Sequence, residues 1–179
     1  DIVERYFSEV SIVPVETASP LTFVSLDPRP LLVGLLQNSQ TVAFRVESGS
    51  AQLCFDLTGS CQGLARPGVT YRFGPDSTGG CVFLETRASG TTVTFGESGP
   101  CAASVRPTSE SAVISIPFKA RSYRSGTLLF RQTGGSDGIH AVYQMGLDQY
   151  MRGLSEVPES WSMAAIEAQV VVSRSAAVW

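Results

Sequence analysis

The chain has 179 residues, 43% of them hydrophobic and 16% charged. That is enough apolar mass for one packed domain and too little charge for a disordered chain. Its net charge is −3, Lys119 is the only lysine and the arginines are scattered, so composition provides no positive field and no basic arm to gather nucleic acid.

The opening DIVERYFSEV has no cationic start and no apolar h-region, so it does not read as a signal peptide. It also lacks an initiator methionine, which points to a trimmed product or one cut from a longer precursor. Asn38 is the only asparagine and no glycosylation sequon exists. No apolar run approaches the roughly 18–20 residues that span a bilayer, so no membrane segment is expected.

Two strands are expected first, SEVSIVPV (8–15) and LTFVSLD (21–27). In PRPLLVGLLQ (28–37), Pro30 suits a first helical turn. Leu31, Leu32, Leu35 and Leu36 then repeat at i, i+1, i+4 and i+5. This predicts a short helix over 31–37 whose apolar stripe seals one end of the fold.

Alternation takes over from Thr41. Val42, Phe44 and Val46 share a face, as do Leu53, Phe55 and Leu57 after Ser48-Gly49-Ser50, where a bulge or sharp bend is expected. VTYRF (69–73) sets Val69, Tyr71 and Phe73 on one side. CVFLET and TTVTF flank RASG (87–90), a hairpin loop with Gly90 placed for positive φ. SAVISIPF aligns Ala112, Ile114, Ile116 and Phe118. GTLLFR, IHAVYQM and IEAQVVV complete the strands, and LDQYMRGL (147–154) suits one helical turn. Eight to ten short strands without a helical crossover predict a single antiparallel sandwich or barrel over 1–179.

Four cysteines at 54, 61, 81 and 101 permit two disulfides in three connectivities, and their spacing matches no zinc module. A chain of this size can build a core without staples, which favours free thiols.

Two stretches imitate serine-hydrolase motifs: GGSDG (134–138) and GESGP (96–100). His140, the only histidine, stands four residues after Ser136 in a strand pattern and cannot readily fold back on it. No histidine precedes Ser98. Both stretches therefore read as Gly/Ser-rich turns. Asp27, Asp56, Asp76 and Asp137 fall at separate turns or strand edges, which gives no sign of a paired-carboxylate site. No catalytic, cofactor or metal site is expected.

The order of elements, with a short helix between the second and third long strands, resembles the eight-stranded jelly roll of picornavirus-like capsid proteins. DIVERYFSEVSIVPV and PRPLLVGLLQNSQTVAFRVESG are similar to the opening of the aphthovirus-type coat protein. Ile116-Pro117-Phe118 is similar to its strand-ending apolar-Pro-aromatic triplet, and AAIEAQVVVSR would form the last strand. The compact length is nearer the small coat proteins of plant picorna-like viruses (secovirids). No RGD stands in the loop that would bind an integrin.

This resemblance implies an all-β jelly-roll β-sandwich with two four-stranded sheets. Period 2 predicts that Val42, Phe44, Leu53, Phe55, Ile114, Ile116, Val170 and Val172 point mainly inward. The resemblance further implies a non-enzymatic structural subunit of an icosahedral RNA-virus capsid, found in the virion and assembled in the host cytoplasm. Its partners would be other coat-protein subunits, enclosed genomic RNA and a host receptor reached through loops such as 134–138. The rival expectation is a non-viral binding module, lectin-like or TNF/C1q-like.

Overall fold

A computed structural model describes residues 30–55, 60–87, 89, 92–132, 138–152 and 160–178. Among them, twelve strands form two antiparallel sheets of six. The first sheet runs in the order β1 (Leu31–Ser39), β12 (Ile139–Met145), β11 (Gly126–Gln132), β8 (Ala102–Pro107), β3 (Ala51–Cys54) and β4 (Cys61–Ala65). The second runs β10 (Arg121–Arg124), β9 (Val113–Ile116), β2 (Val42–Ser48), β5 (Thr70–Pro75), β6 (Cys81–Thr86) and β7 (Thr92–Gly99). Two helices follow, α1 (Leu147–Arg152) and α2 (Met163–Val178).

Alternation explains the core. Val42, Phe44 and Val46 of β2 are wholly buried, as are Leu53, Ile114 and Ile116, and Phe55 is nearly so. Period 2 sends these residues to one face while Ala43, Arg45 and Glu47 take the other. The two inner faces meet through aromatic rings: Phe73 of the second sheet stacks on Phe130 of the first at 4.8 Å, and Phe44 lies 5.8 Å from the same ring. Offset and tilted ring pairs of this kind add to the area they bury.

Gly49 carries the chain from the second sheet to the first. Its φ is +69°, and a Cβ there would lie 2.9 Å from the Ala112 backbone, so both conformation and space require glycine. The break in alternation at Ser48-Gly49-Ser50 is thus a bend between sheets.

Several expectations are corrected. Residues 31–37 are extended, not helical: β1 pairs antiparallel with β12, with register shifts around Leu36. Leu35 is buried as expected, but Leu32 of the supposed apolar stripe is 58% exposed, because a strand sends neighbours to opposite faces. The edge of β12 offers backbone partners that outweigh the helix propensity of the leucines.

At the other end, residues 164–174 lie within helix α2 instead of a closing strand. Val170 and Val172 are therefore partly exposed, not inward. Phe118 leaves the face it was expected to share: Pro117 opens a 3-10 turn, Ala120 closes it at φ 50°, and Phe118 projects into solvent. Two sheets of six replace the expected two of four. The coarse expectation of a mostly-β fold in two antiparallel sheets holds, and the eight-strand count does not. The supposed strands at 8–15 and 21–27, and Gly90, lie outside the described residues.

The cysteines are not free thiols. Cys54 pairs with Cys61 and Cys81 with Cys101. Strand register makes these pairings available: Cys54 faces Cys61 across β3 and β4, and Cys81 faces Gly99, two residues from Cys101. A large core removes the need for staples but does not keep facing cysteines apart.

Candidate functional site

The hydrolase-like motifs behave differently from each other. Ser136 and its neighbours 133–137 lie outside the described residues, as do Asp27, Asp56 and Asp137. Gly138 is buried, against the expectation that 134–138 is wholly a surface loop; a Cβ there would meet the Asn38 backbone at 2.6 Å. GESGP is not a turn over most of its length, since 96–99 complete β7. The turn is confined to Pro100-Cys101, where the Ala102 N–H donates to the Pro100 carbonyl at 2.7 Å. His140 sits in β12 opposite Arg131, half-buried, within the strand its sequence predicts. Asp76 holds the β5–β6 turn by accepting from the Thr78 N–H at 2.8 Å and its hydroxyl at 2.7 Å.

Sequence reasoning missed one buried acid. Glu85 of β6 shares the inward face with Cys81 and Phe83, and is 3% exposed. Its Oε1 accepts from Arg87 Nε at 3.1 Å, and Arg66 Nη2 stands 3.8 Å from its Oε2. The neighbouring Tyr71 hydroxyl accepts from the Arg66 N–H at 3.0 Å. Burial raises the Tyr71 phenol above its ordinary range; the Arg66 N–H opposes this, and the Glu85 charge adds to it. The signal was the alternation itself, which places residue 85 inward with 81 and 83. Two half-exposed guanidiniums neutralise the carboxylate, an arrangement suited to an ion pair closing the core. Among the described residues, no group of three or more His, Cys, Asp or Glu could hold a metal ion.

The C-terminal segment is built on the first sheet. Strand β12 lies between β1 and β11, hydrogen-bonded to both. Tyr143 is wholly buried there, its ring 4.8 Å from that of Tyr123 in the other sheet. Burial, reinforced by the Tyr123 neighbour, pushes the Tyr143 phenol far above its ordinary range. The Gln149 side chain accepts from the Gly146 N–H at 3.0 Å as the chain enters α1. Ser162 starts α2: its carbonyl accepts from Ala165 and Ile166, and its hydroxyl from Ala165 at 3.3 Å, an N-cap arrangement. Trp161, Met163, Val171 and Val172 are at least half exposed. Among the described residues no helix is long and apolar enough to cross a membrane.

This segment carries the link to known proteins. The profile of the SpoIID family, described as stage II sporulation protein, matches residues 135–179, about a quarter of the chain. No curated protein and no solved structure matches it. The match overturns the picornavirus-like resemblance, because it claims the stretch assigned to the last coat-protein strands. The icosahedral shell, coat-protein partners, enclosed RNA, host receptor and virion location fall with it. The lectin-like or TNF/C1q-like alternative gains no support. The match also conflicts with the expectation that the chain is not an enzyme.

Proposed function

We propose that the chain is part of a bacterial protein acting at the cell wall during sporulation, with residues 135–179 belonging to a SpoIID-type unit. The observation that carries this reading is the family match over those residues. Its structural companion is the position of β12, which makes the matched segment continuous with the sheet that precedes it. The sheets and the matched segment are accordingly read as one domain.

The SpoIID family is associated with lytic-transglycosylase-like activity. Such chemistry needs a carboxylic acid to protonate the departing glycosidic oxygen and a base to take the proton of the attacking hydroxyl. The matched segment contains Asp137, Asp148, Glu156, Glu159 and Glu167. Asp148 and Glu167 are exposed on α1 and α2.

The test is incubation of the whole chain with purified bacterial wall glycan, with mass spectrometry of released fragments. Release that disappears when one of the five carboxylates is changed to its amide supports a glycan-cleaving role. Release untouched by all five substitutions, or no release at all, removes the enzymatic part of the proposal.

A further inference from the structure

The outer face of the second sheet sets two arginines, Arg45 and Arg72, side by side in a chain that is negative overall. A groove of about 440 Å³ lies between β2, β5, β9 and the turn at Pro117–Ala120, lined by Arg45, Arg72 and Arg121 against a single acid, Glu47. Register makes the cluster. Arg45 faces Thr70 while Arg72 faces Ala43, so the two arginines are diagonal neighbours on one face, with backbones about 7–8 Å apart. Ala43, the small residue opposite Arg72, leaves the space between them open.

Part of the groove is fixed in place. Glu47 Oε2 stands 3.2 Å from Arg45 Nε as an ion pair, and Glu47 Oε1 accepts from the Ser115 hydroxyl at 2.5 Å. Ser115 is itself 7% exposed. That network consumes the one carboxylate. Arg72, exposed on that face, forms no ion pair among the described residues.

We infer that this groove binds the carboxylate or phosphate groups of an anionic glycan chain. Guanidinium groups present paired donors that match the oxyanions of both groups. Thr70 and Ser122 add hydroxyls at the rim. No aromatic residue lines the groove, so the stacking that holds single-stranded nucleic acid is missing. The choice of a glycan to carry the oxyanions rests on the cell-wall reading; the preference for oxyanions does not.

The experiment titrates the whole chain with a uronic-acid oligosaccharide, a neutral oligosaccharide of equal length, inorganic phosphate and a single-stranded oligonucleotide. The uronic oligosaccharide should bind, weaken as salt rises and be displaced by phosphate. Arg72→Gln should weaken binding about tenfold, in keeping with the loss of a charge-assisted contact. Arg131→Gln, on the first sheet, should leave it unchanged. Unaltered thermal unfolding of the variants would show that they fold.

Equal binding of the neutral sugar, tighter binding of the oligonucleotide, phosphate binding without oligosaccharide binding, or indifference to Arg72 would each overturn the inference. So would no binding at all. Glycan cleavage is not read here and the tested arginines lie outside 135–179, so this inference and the cell-wall enzyme reading fail separately.

Discussion

Strand β1 and helix α2 are two short apolar segments that fold in opposite senses to their local patterns. LLVGLLQNS is leucine-rich, begins after proline and carries a helical stripe, yet it is a strand. MAAIEAQVVVSRSAAV contains the β-branched run Val170-Val171-Val172, yet it is a helix. Partners account for the difference. β1 gains the free edge of β12 and buries Leu35, whereas α2 packs only against α1 to any extent and leaves most of its surface in solvent. Where tertiary contacts are many they override propensity, and where they are few propensity and capping decide.

The largest expected effect separates a residue of the packed sheets from one of the helix. Phe130 touches the rings of Phe44, Phe73 and Phe83 and is wholly buried. Phe130→Ala should cost about 3–5 kcal/mol in urea unfolding, through lost transfer energy and the cavity left behind. Met163→Ala, at an exposed position of α2, should stay within about 0.5 kcal/mol. Equal losses at the two sites would break the comparison.

The disulfides rank next. Cys81–Cys101 closes a separation of 20 residues and Cys54–Cys61 one of 7. Loop-closure entropy predicts stabilisation of about 3 kcal/mol for the first and about 2 kcal/mol for the second. Double Cys→Ser variants, compared by denaturant midpoint, should follow that order, and the reverse order would show that local packing around the bridges outweighs loop length.

Alkaline pH supplies a third test. Tyr143, Tyr71 and Tyr123 all have phenols raised above the ordinary value, chiefly by burial. The folded state therefore retains protons that the unfolded chain gives up near pH 10. Stability is fully present below that value and falls as pH rises above it, by up to about 1.4 kcal/mol per pH unit for each phenol still protonated in the fold. Urea titrations at pH 9, 10 and 11 should show the decline, and Tyr143→Phe should make it shallower. A flat profile would mean the phenols are reached by solvent in the native state.

Much of the sheet core was legible because period 2 needs no knowledge of partners. Val42, Phe44, Ile114 and Ile116 point inward wherever the strands happen to pair. Glu85 follows the same rule, since alternation sets it inward with Cys81 and Phe83, although an acid on an apolar face runs against composition. The groove was not legible: Arg45 and Arg72 come from strands distant in sequence, and only register sets them side by side on one face. α2 lay between these cases. Ser162, Ala164 and Ala165 are a cap and two strong helix formers, but the β-branched Val170-Val171-Val172 run favours a strand. Ser162→Ala should test that balance, lowering helix content in the far-ultraviolet dichroism by an amount equivalent to about 1 kcal/mol at that terminus, while the urea midpoint of the sheets holds.

The smallest expected effect is the most discriminating, because its sign is at stake. Val171 lies in α2, 64% exposed. Its β-branched side chain gives up rotamer freedom against the preceding turn and gains little burial in return. Ser175 closes its hydroxyl onto the Val171 carbonyl at 2.9 Å, a backbone contact that any side chain at 171 leaves intact. Val171→Ala should therefore stabilise the helix by about 0.5 kcal/mol, seen as a small gain in dichroism and slower amide exchange over 165–175. In a closing strand the same change would remove a β-branched residue suited to a pleated surface and would destabilise the fold. A loss of stability at Val171 would restore the strand reading of this segment, and a gain would confirm that α2 is held by its own backbone and cap.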